Sequence, residues 1–382
     1  MIRRRSVPIA ALAAAIAATG ADAQQGATPA PREFTVASRD GTPIHGQADL
    51  AAPAPRVAVV MVAGTGLFDR DVRFGKSGTE GDRLFKDMAA RFVRRGLAAI
   101  RYDRRGVNFG KTGAEMLDKP LSGSSTVESQ RDDLAAIYGW ARAKDGLGAR
   151  CVILFGHSEG TLHIARLAAS GAPEPLAVIG MGAAAASPAE TVRWQMSERD
   201  AWSLAAMDAD HDGRTTKAEV EAHWQETPSS VFDLLAPLLP PDGVAWTTEQ
   251  IAQVRAAQAV LYAQAKAAAL ALDDAAPYPN AVTPMARSSW WKSWFTDETE
   301  TASLLARWPH VPVYFHWGAK DSQTPPSLNL SPARTWLGSR ATLTVHPGLG
   351  HNLGTHALFG PMDPGAADQI ADQAAAAARQ CR

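Results

Sequence analysis

A chain of 382 residues, 46 % hydrophobic and with a formal net charge of −1 at pH 7, suits one large core or a core with a substantial insertion. Its 38 basic and 39 acidic residues show no basic stripe, which argues against a nucleic-acid partner. No internal run is long and apolar enough to be read as a membrane span, so no integral membrane segment is expected in the mature chain.

The N-terminus reads as an export signal. Arg3-Arg4-Arg5 precedes a small apolar stretch from Val7 to Thr19, and Ala21-Asp22-Ala23 has the A-x-A form of a cleavage site. Residues 1–23 are expected to be removed on the way to the periplasm or the exterior, with 24–32 a flexible leader. Eight strands follow from the apolar patterning, at Phe34–Ser38, His45–Leu50, Val57–Val62, Leu97–Tyr102, Cys151–Phe155, Leu176–Met181, Val311–His316 and Ala341–His346. Helices are expected near Gly81–Arg95, Thr126–Ala143, Glu159–Ala169, Pro326–Trp336 and Gly365–Gln380. Val57–Val62 and Cys151–Phe155 are continuously apolar, as strands buried on both faces are. The alternation predicts an α/β fold with a mostly parallel eight-stranded sheet flanked by helices, built from 33–186 and 309–382.

Residues 187–308 break the rhythm. No strand is expected there, prolines recur at Pro228, Pro237, Pro240 and Pro241, and the stretch holds eight of the 11 tryptophans. It reads as a helical cap inserted over the active-site end of the sheet. Most of its tryptophans are expected to build its own core, with the cluster Trp290-Trp291-Lys292-Ser293-Trp294 nearest a substrate pocket. Two cysteines exist. Cys151 opens a strand and Cys381 ends the last helix, both at the sheet edge away from the active site. An oxidising compartment favours a Cys151–Cys381 disulfide, the alternative being a buried thiol and a free one.

The chemistry centres on Gly156-His157-Ser158-Glu159-Gly160. This G-x-S-x-G follows an apolar strand and opens a helix, the setting in which a sharp turn lifts a serine hydroxyl off the end of a sheet. A serine needs a base, and the base an orienting acid. In this architecture the acid follows a late strand and the histidine the next one. Asp321, after Val311–His316, and His351, in the glycine-rich loop after Ala341–His346, occupy those places. His346 and His356 compete weakly for the base. The oxyanion formed on attack needs N–H donors. The backbone of Glu159 supplies one, and Thr65 in the loop after Val57–Val62 the second, with Gly64 and Gly66 shaping the turn.

These motifs resemble α/β-hydrolase-fold serine hydrolases, within them the bacterial esterase and serine-aminopeptidase-like branch. Its G-S-G-x-x-D-R-D loop is matched by Gly64-Thr65-Gly66-Leu67-Phe68-Asp69-Arg70-Asp71. Its Y-D-x-R-G segment is matched by Tyr102-Asp103-Arg104-Arg105-Gly106, where Asp103 and the arginines read as loop-fixing ion pairs. Ala63 stands where lipases carry a histidine, and Thr161 where a second glycine usually follows the elbow; both leave substrate choice open. The resemblance implies cleavage of small-molecule esters through an acyl-enzyme. A peptidase or amidase of the serine aminopeptidase type is the alternative, although no acidic pair is identifiable to hold a substrate amine. A third reading is a non-catalytic calcium-dependent binding protein.

Within the insertion, Asp208-Ala209-Asp210-His211-Asp212-Gly213-Arg214-Thr215-Thr216-Lys217-Ala218-Glu219 fits D-x-D-x-D-G-x₅-E and resembles an EF-hand loop. Asp208, Asp210, Asp212, the Arg214 carbonyl, Thr216 and a bidentate Glu219 would offer Ca²⁺ its oxygens. Thr215 departs from the usual aliphatic residue, and no second loop is recognisable for it to pair with, so a structural calcium site is expected rather than a sensor. No organic cofactor is implied.

Overall fold

The computed structural model describes residues 30–73, 83–111, 113–224, 238–240, 243–276, 286–355 and 361–382. The expected signal segment, residues 24–29 of the leader, His356 and the prolines 228, 237 and 241 lie outside the described residues, and Arg32, expected to end the leader, instead opens the first strand.

All eight expected strands form one sheet. They are β1 (Arg32–Ala37), β2 (Pro43–Asp49), β3 (Val57–Val62), β4 (Ala98–Tyr102), β5 (Cys151–His157) and β6 (Ala177–Met181), then β9 (Val313–Gly318) and β10 (Ala341–His346) after the intervening segment. Their order across the sheet is β1-β2-β4-β3-β5-β6-β9-β10. Only the pairings of β2, with β1 and with β4, are antiparallel. The rest are parallel.

The period of two explains the continuous apolar runs. Val57, Val59 and Met61 face α1 (Leu84–Arg94) and the C-terminal helix Pro364–Ala378, joining Phe85, Met88, Phe92, Ile370 and Ala374 in one core layer. Ala58, Val60 and Val62 face the other layer, formed with Leu134, Ile137, Ile164 and Leu167. Those side chains come from α3 (Val127–Arg142) and α4 (Glu159–Ala169), numbered after the short α2 (Lys119–Gly123). A strand with both faces covered leaves no position for a polar residue, which is why all six residues of β3 are buried.

Between β6 and β9 the chain adds no strand to this sheet among the described residues. It forms α5 (Pro188–Ser197), α6 (Arg199–Ala206), α7 (Lys217–Trp224), α8 (Thr248–Leu270), α9 (Ser288–Thr296) and α10 (Thr301–Leu305). The expectation of no strand there is wrong in one respect. The short strands β7 (Arg214–Thr216) and β8 (Ala245–Thr247) pair antiparallel, with Thr215 opposite Trp246. Three-residue runs carry no periodic signal, so pairing is visible only when both are folded. The remaining helix, α11 (Pro326–Leu337), joins β9 to β10, and the C-terminal helix is α12.

Cys151 at the start of β5 and Cys381 after α12 form a disulfide across 230 residues of sequence. Among the described residues no helix is long and apolar enough to cross a membrane.

Candidate active site

The loops at the C-terminal ends of β3, β5, β6, β9 and β10 meet at one end of the sheet, where parallel α/β sheets carry their sites. Ser158 caps α4 with φ +54° and ψ −123°, a left-handed conformation that non-glycine residues seldom adopt. Its N–H donates to the Met181 carbonyl at 2.9 Å. The glycines around it make the turn possible. A Cβ at Gly160 would lie 2.1 Å from the Val62 carbonyl oxygen, and one at Gly64 would lie 2.8 Å from the Ser158 Cβ.

Asp321 and His351 are brought together as expected. His351 Nδ1 lies 3.0 Å from each Asp321 carboxylate oxygen. That contact puts the proton on Nδ1 and leaves Nε2 as the basic nitrogen. Asp321 also accepts from the Gln323 and Thr324 N–H groups at 2.8 and 2.9 Å and from the Thr324 hydroxyl at 3.0 Å. Burial alone would raise its pKa; His351 and these donors outweigh burial and hold it below the usual carboxylate value. Gly182, at φ +53°, lies against the His351 ring, where a Cβ would stand 2.7 Å from Cε1. The two loops are tied directly, with Lys320 N–H donating to the Leu349 carbonyl at 2.8 Å. From the neighbouring segment, the Trp194 indole N–H donates to the Ser322 carbonyl at 3.0 Å and the Gln195 amide to the Gln323 carbonyl at 3.0 Å. His157, beside the serine, has its ring 5.1 Å from that of His351. Burial and the neighbouring His351 push it down to about 3, and its Nε2 donates to Asn352 Oδ1 at 2.9 Å.

His346 is not part of this arrangement. It pairs with His316 at 3.0 Å, and His316 in turn donates to Gln373 at 2.7 Å.

The expected ion pairs join the two loop motifs. Arg70 holds Asp103 through backbone and guanidinium at 2.9 and 2.7 Å. Arg101 pairs with Asp71, and Arg105 with Asp133 and Asp40.

Sequence reasoning used only the backbone of Glu159 and missed its side chain. That carboxylate is buried and accepts from the Thr65 hydroxyl at 2.8 Å and the Trp290 indole N–H at 3.1 Å. As the first residue of α4, Glu159 also has a backbone N–H with no intrahelical partner. Trp290 and Trp294 are buried in a cluster with Leu162, Val192 and Phe295. The tryptophan cluster is thus mainly core, and Trp290 reaches the Glu159 side chain next to the elbow serine.

In the acidic loop, carboxylate oxygens of Asp208, Asp210 and Asp212 lie within 4.8 Å of one another. Gly213, at φ +85°, makes the turn. Glu219 stands outside the trio, its carboxylate accepting from Ala209 N–H, Thr216 N–H and the Thr216 hydroxyl. Hard oxygen donors of this kind fit a divalent cation such as Ca²⁺. The expectation that the loop lacks a partner needs correction. β8 pairs with β7, and Thr247 and Gln250 repeat the reciprocal bonds of Thr216 and Glu219. Buried Thr215 is explained too, since its hydroxyl donates to the Leu204 carbonyl at 2.7 Å.

No family model and no curated protein sequence matches the chain. Solved structures do. A carboxyl esterase from Bacillus coagulans, in complex with glycerol, aligns with a TM-score of 0.51 at 16 % identity, covering 91 % of this chain and 98 % of that one. Est1E from Butyrivibrio proteoclasticus, with ferulic acid bound, aligns at 0.50 and 13 % identity, covering 91 % and 100 %. At such identities the likeness speaks for architecture alone, and with the eight-stranded, mostly parallel sheet it shows that this chain has the α/β-hydrolase fold.

Proposed function

We propose that the chain is an exported serine hydrolase that cleaves carboxylic esters through an acyl-enzyme. The observation that carries the reading is the strained Ser158 elbow, whose preceding residue His157 has its ring 5.1 Å from the His351 ring of a buried Asp321–His351 pair. Ser158 Oγ attacks the ester carbonyl carbon while His351 Nε2 takes its proton. Asp321 keeps His351 in the needed tautomer and stabilises the imidazolium. The oxyanion accepts from the N–H groups of Glu159 and Thr65. Collapse breaks the bond to the alcohol, which leaves with the proton from His351. Water then attacks the acyl-enzyme with His351 again as base, releasing the acid and restoring Ser158.

Residues 187–308 serve as a cap in this reading, and 33–186 with 309–382 as the hydrolase core. Esters are favoured over peptides because the buried carboxylates that the described residues place at this site are already engaged, Glu159 by Thr65 and Trp290 and Asp321 by His351, so neither is open to a substrate amine. By motif the chain resembles the bacterial esterase and serine-aminopeptidase-like branch. Export to the periplasm or beyond is supported by the disulfide, which an oxidising compartment favours.

Ca²⁺ is the ion this reading assigns to the acidic loop. Asp208, Asp210 and Asp212 would hold it, with the Arg214 carbonyl, Thr216 and a reoriented Glu219 as further donors. Its contribution is charge neutralisation that keeps the loop folded.

The test is a fluorophosphonate probe, which reacts with activated serines whatever the natural substrate. Label on Ser158 that disappears in His351→Ala is expected. An unlabelled Ser158, with and without calcium, would leave the non-catalytic reading in front. Ester and aminoacyl-anilide series then separate esterase from peptidase.

A further inference from the structure

A carboxylate buried one residue past a nucleophile carries a desolvation cost that calls for an explanation. Glu159 is 1 % exposed. Its partners come from separate parts of the fold. The Thr65 hydroxyl donates from the loop after β3, Trp290 from α9, and Arg104 Nη1 lies 3.5 Å away from the loop after β4. His163 Nε2, one helical turn along α4, lies 3.5 Å from the other oxygen. Burial alone would push the carboxyl up; the Arg104 charge, with His163, the Thr65 bond and Arg166 behind it, outweighs burial and holds it below the usual carboxylate value. Burial pushes His163 itself down to about 4, so at neutral pH the cations acting on Glu159 are Arg104, 3.5 Å away, and Arg166.

Charge balance accounts for Arg104 but not for Thr65, an exposed residue in a glycine-flanked loop. The loop is gripped twice. Arg104 Nη1 donates to the Gly64 carbonyl at 2.9 Å, and Glu159 holds the next side chain. Gly64 C=O and Thr65 N–H belong to one peptide group. A trans peptide is planar with these two groups on opposite sides. Fixing the Gly64 oxygen therefore fixes the direction of the Thr65 N–H. Arg104 is itself braced by Gln130 Oε1 at 2.6 Å.

We propose that Arg104 and Glu159 are a positioning pair for the oxyanion site: together they lock the Gly64–Thr65 peptide so that its N–H faces the carbonyl oxygen of the substrate, and Trp290 docks α9 onto the same carboxylate. The inference rests on the serine hydrolase reading. Neither side chain touches the reacting atoms. A glycine-rich loop free to rotate would have to be reorganised at each turnover, and a preorganised donor avoids that cost.

Thr65→Val tests it, because it removes one hydroxyl at an exposed position and keeps both shape and backbone N–H. The fluorophosphonate is used with measurement of its maximal rate of Ser158 labelling and its half-saturating concentration. Melting temperature is followed alongside. The expected result is a maximal rate lower by about 10-fold or more, since loss of a whole oxyanion donor costs 10²–10³, with half-saturation changed less than about twofold. Thr65→Ser restores the rate. Trp290→Phe, which keeps an aromatic ring but loses the N–H with the five-membered ring, lowers it by a smaller factor. A Thr65→Val protein that labels at the wild-type rate would overturn the inference while leaving the hydrolase reading intact. So would a loss confined to half-saturation, which would mark Thr65 as a binding contact. A wild-type protein that does not label at Ser158 would overturn the hydrolase reading, and the inference with it.

Discussion

At the scale of single residues the site is built from conformations that particular side chains forbid or permit. Ser158 in a left-handed backbone costs of order 1–3 kcal/mol and persists only because the surroundings over-determine it. Gly182 answers to the same logic from the other side. A Gly182→Ala variant would carry a methyl into the His351 ring at a positive φ. We expect its kcat on a p-nitrophenyl ester to fall by about 10-fold or more, as small displacements of catalytic groups do, with the melting temperature measured beside it. An unchanged kcat would show that His351 is not held in the place argued here. Asp321→Asn should leave the fold in place and lower kcat by roughly 10³–10⁴, because the amide favours the wrong tautomer of His351. The positions of Ser158, Asp321 and His351, which the proposed function takes as nucleophile, acid and base, were legible in the sequence, since each sits at a fixed offset from a recognisable strand. The carboxylate role of Glu159 was not, because its partners Thr65, Arg104 and Trp290 are 94, 55 and 131 positions away or nearby only in space.

At the scale of elements, β9 and β10 bring His316 and His346 side by side, their rings 5.2 Å apart. Burial pushes His316 down to about 4 and His346 below the ordinary histidine value. Both therefore take up protons less readily in the folded protein than in the unfolded chain. Such groups contribute stability that is fully present above the unfolded pKa of about 6.5 and is lost as pH falls toward about 4. His157 and His163 are depressed by burial in the same sense. Urea midpoints are expected to drop steadily between pH 7 and pH 4.5. In His316→Gln, which keeps a hydrogen-bonding group but does not titrate, the drop should be shallower. Equal slopes would remove His316 from this account. Short elements were the least legible part of the chain. Arg214–Thr216 and Ala245–Thr247 become strands only because each supplies the other's partner.

For the whole molecule, one covalent cross-link and one proposed ion site bear on stability. The Cys151–Cys381 bond closes a loop of 230 residues between the central strand and the C-terminus. Chain-entropy reasoning gives such a loop about 5 kcal/mol at most, so reduction should lower the urea midpoint clearly while far-UV circular dichroism of the native state is retained. An unchanged midpoint would mean the bond adds nothing beyond the packing of α12. The proposed calcium loop predicts a higher melting temperature in excess calcium than in excess chelator, by an amount set by saturation, about 2.7 kcal/mol at 100 times Kd. Equal melting temperatures would count against the site.

The sequence by itself determined the eight strands, the parallel α/β layering and the positions of Ser158, Asp321 and His351. These depend on local periodicity and on turns whose glycines are visible one residue at a time. Only the tertiary structure decided which side chains meet across the loops. The Glu159 cluster, the paired β7 and β8, and the placement of His346 with His316 instead of Asp321 all arise from contacts between distant segments. Hydrogen bonds and ion pairs of that kind leave no periodic trace in a linear chain, because what selects the partner is distance after folding.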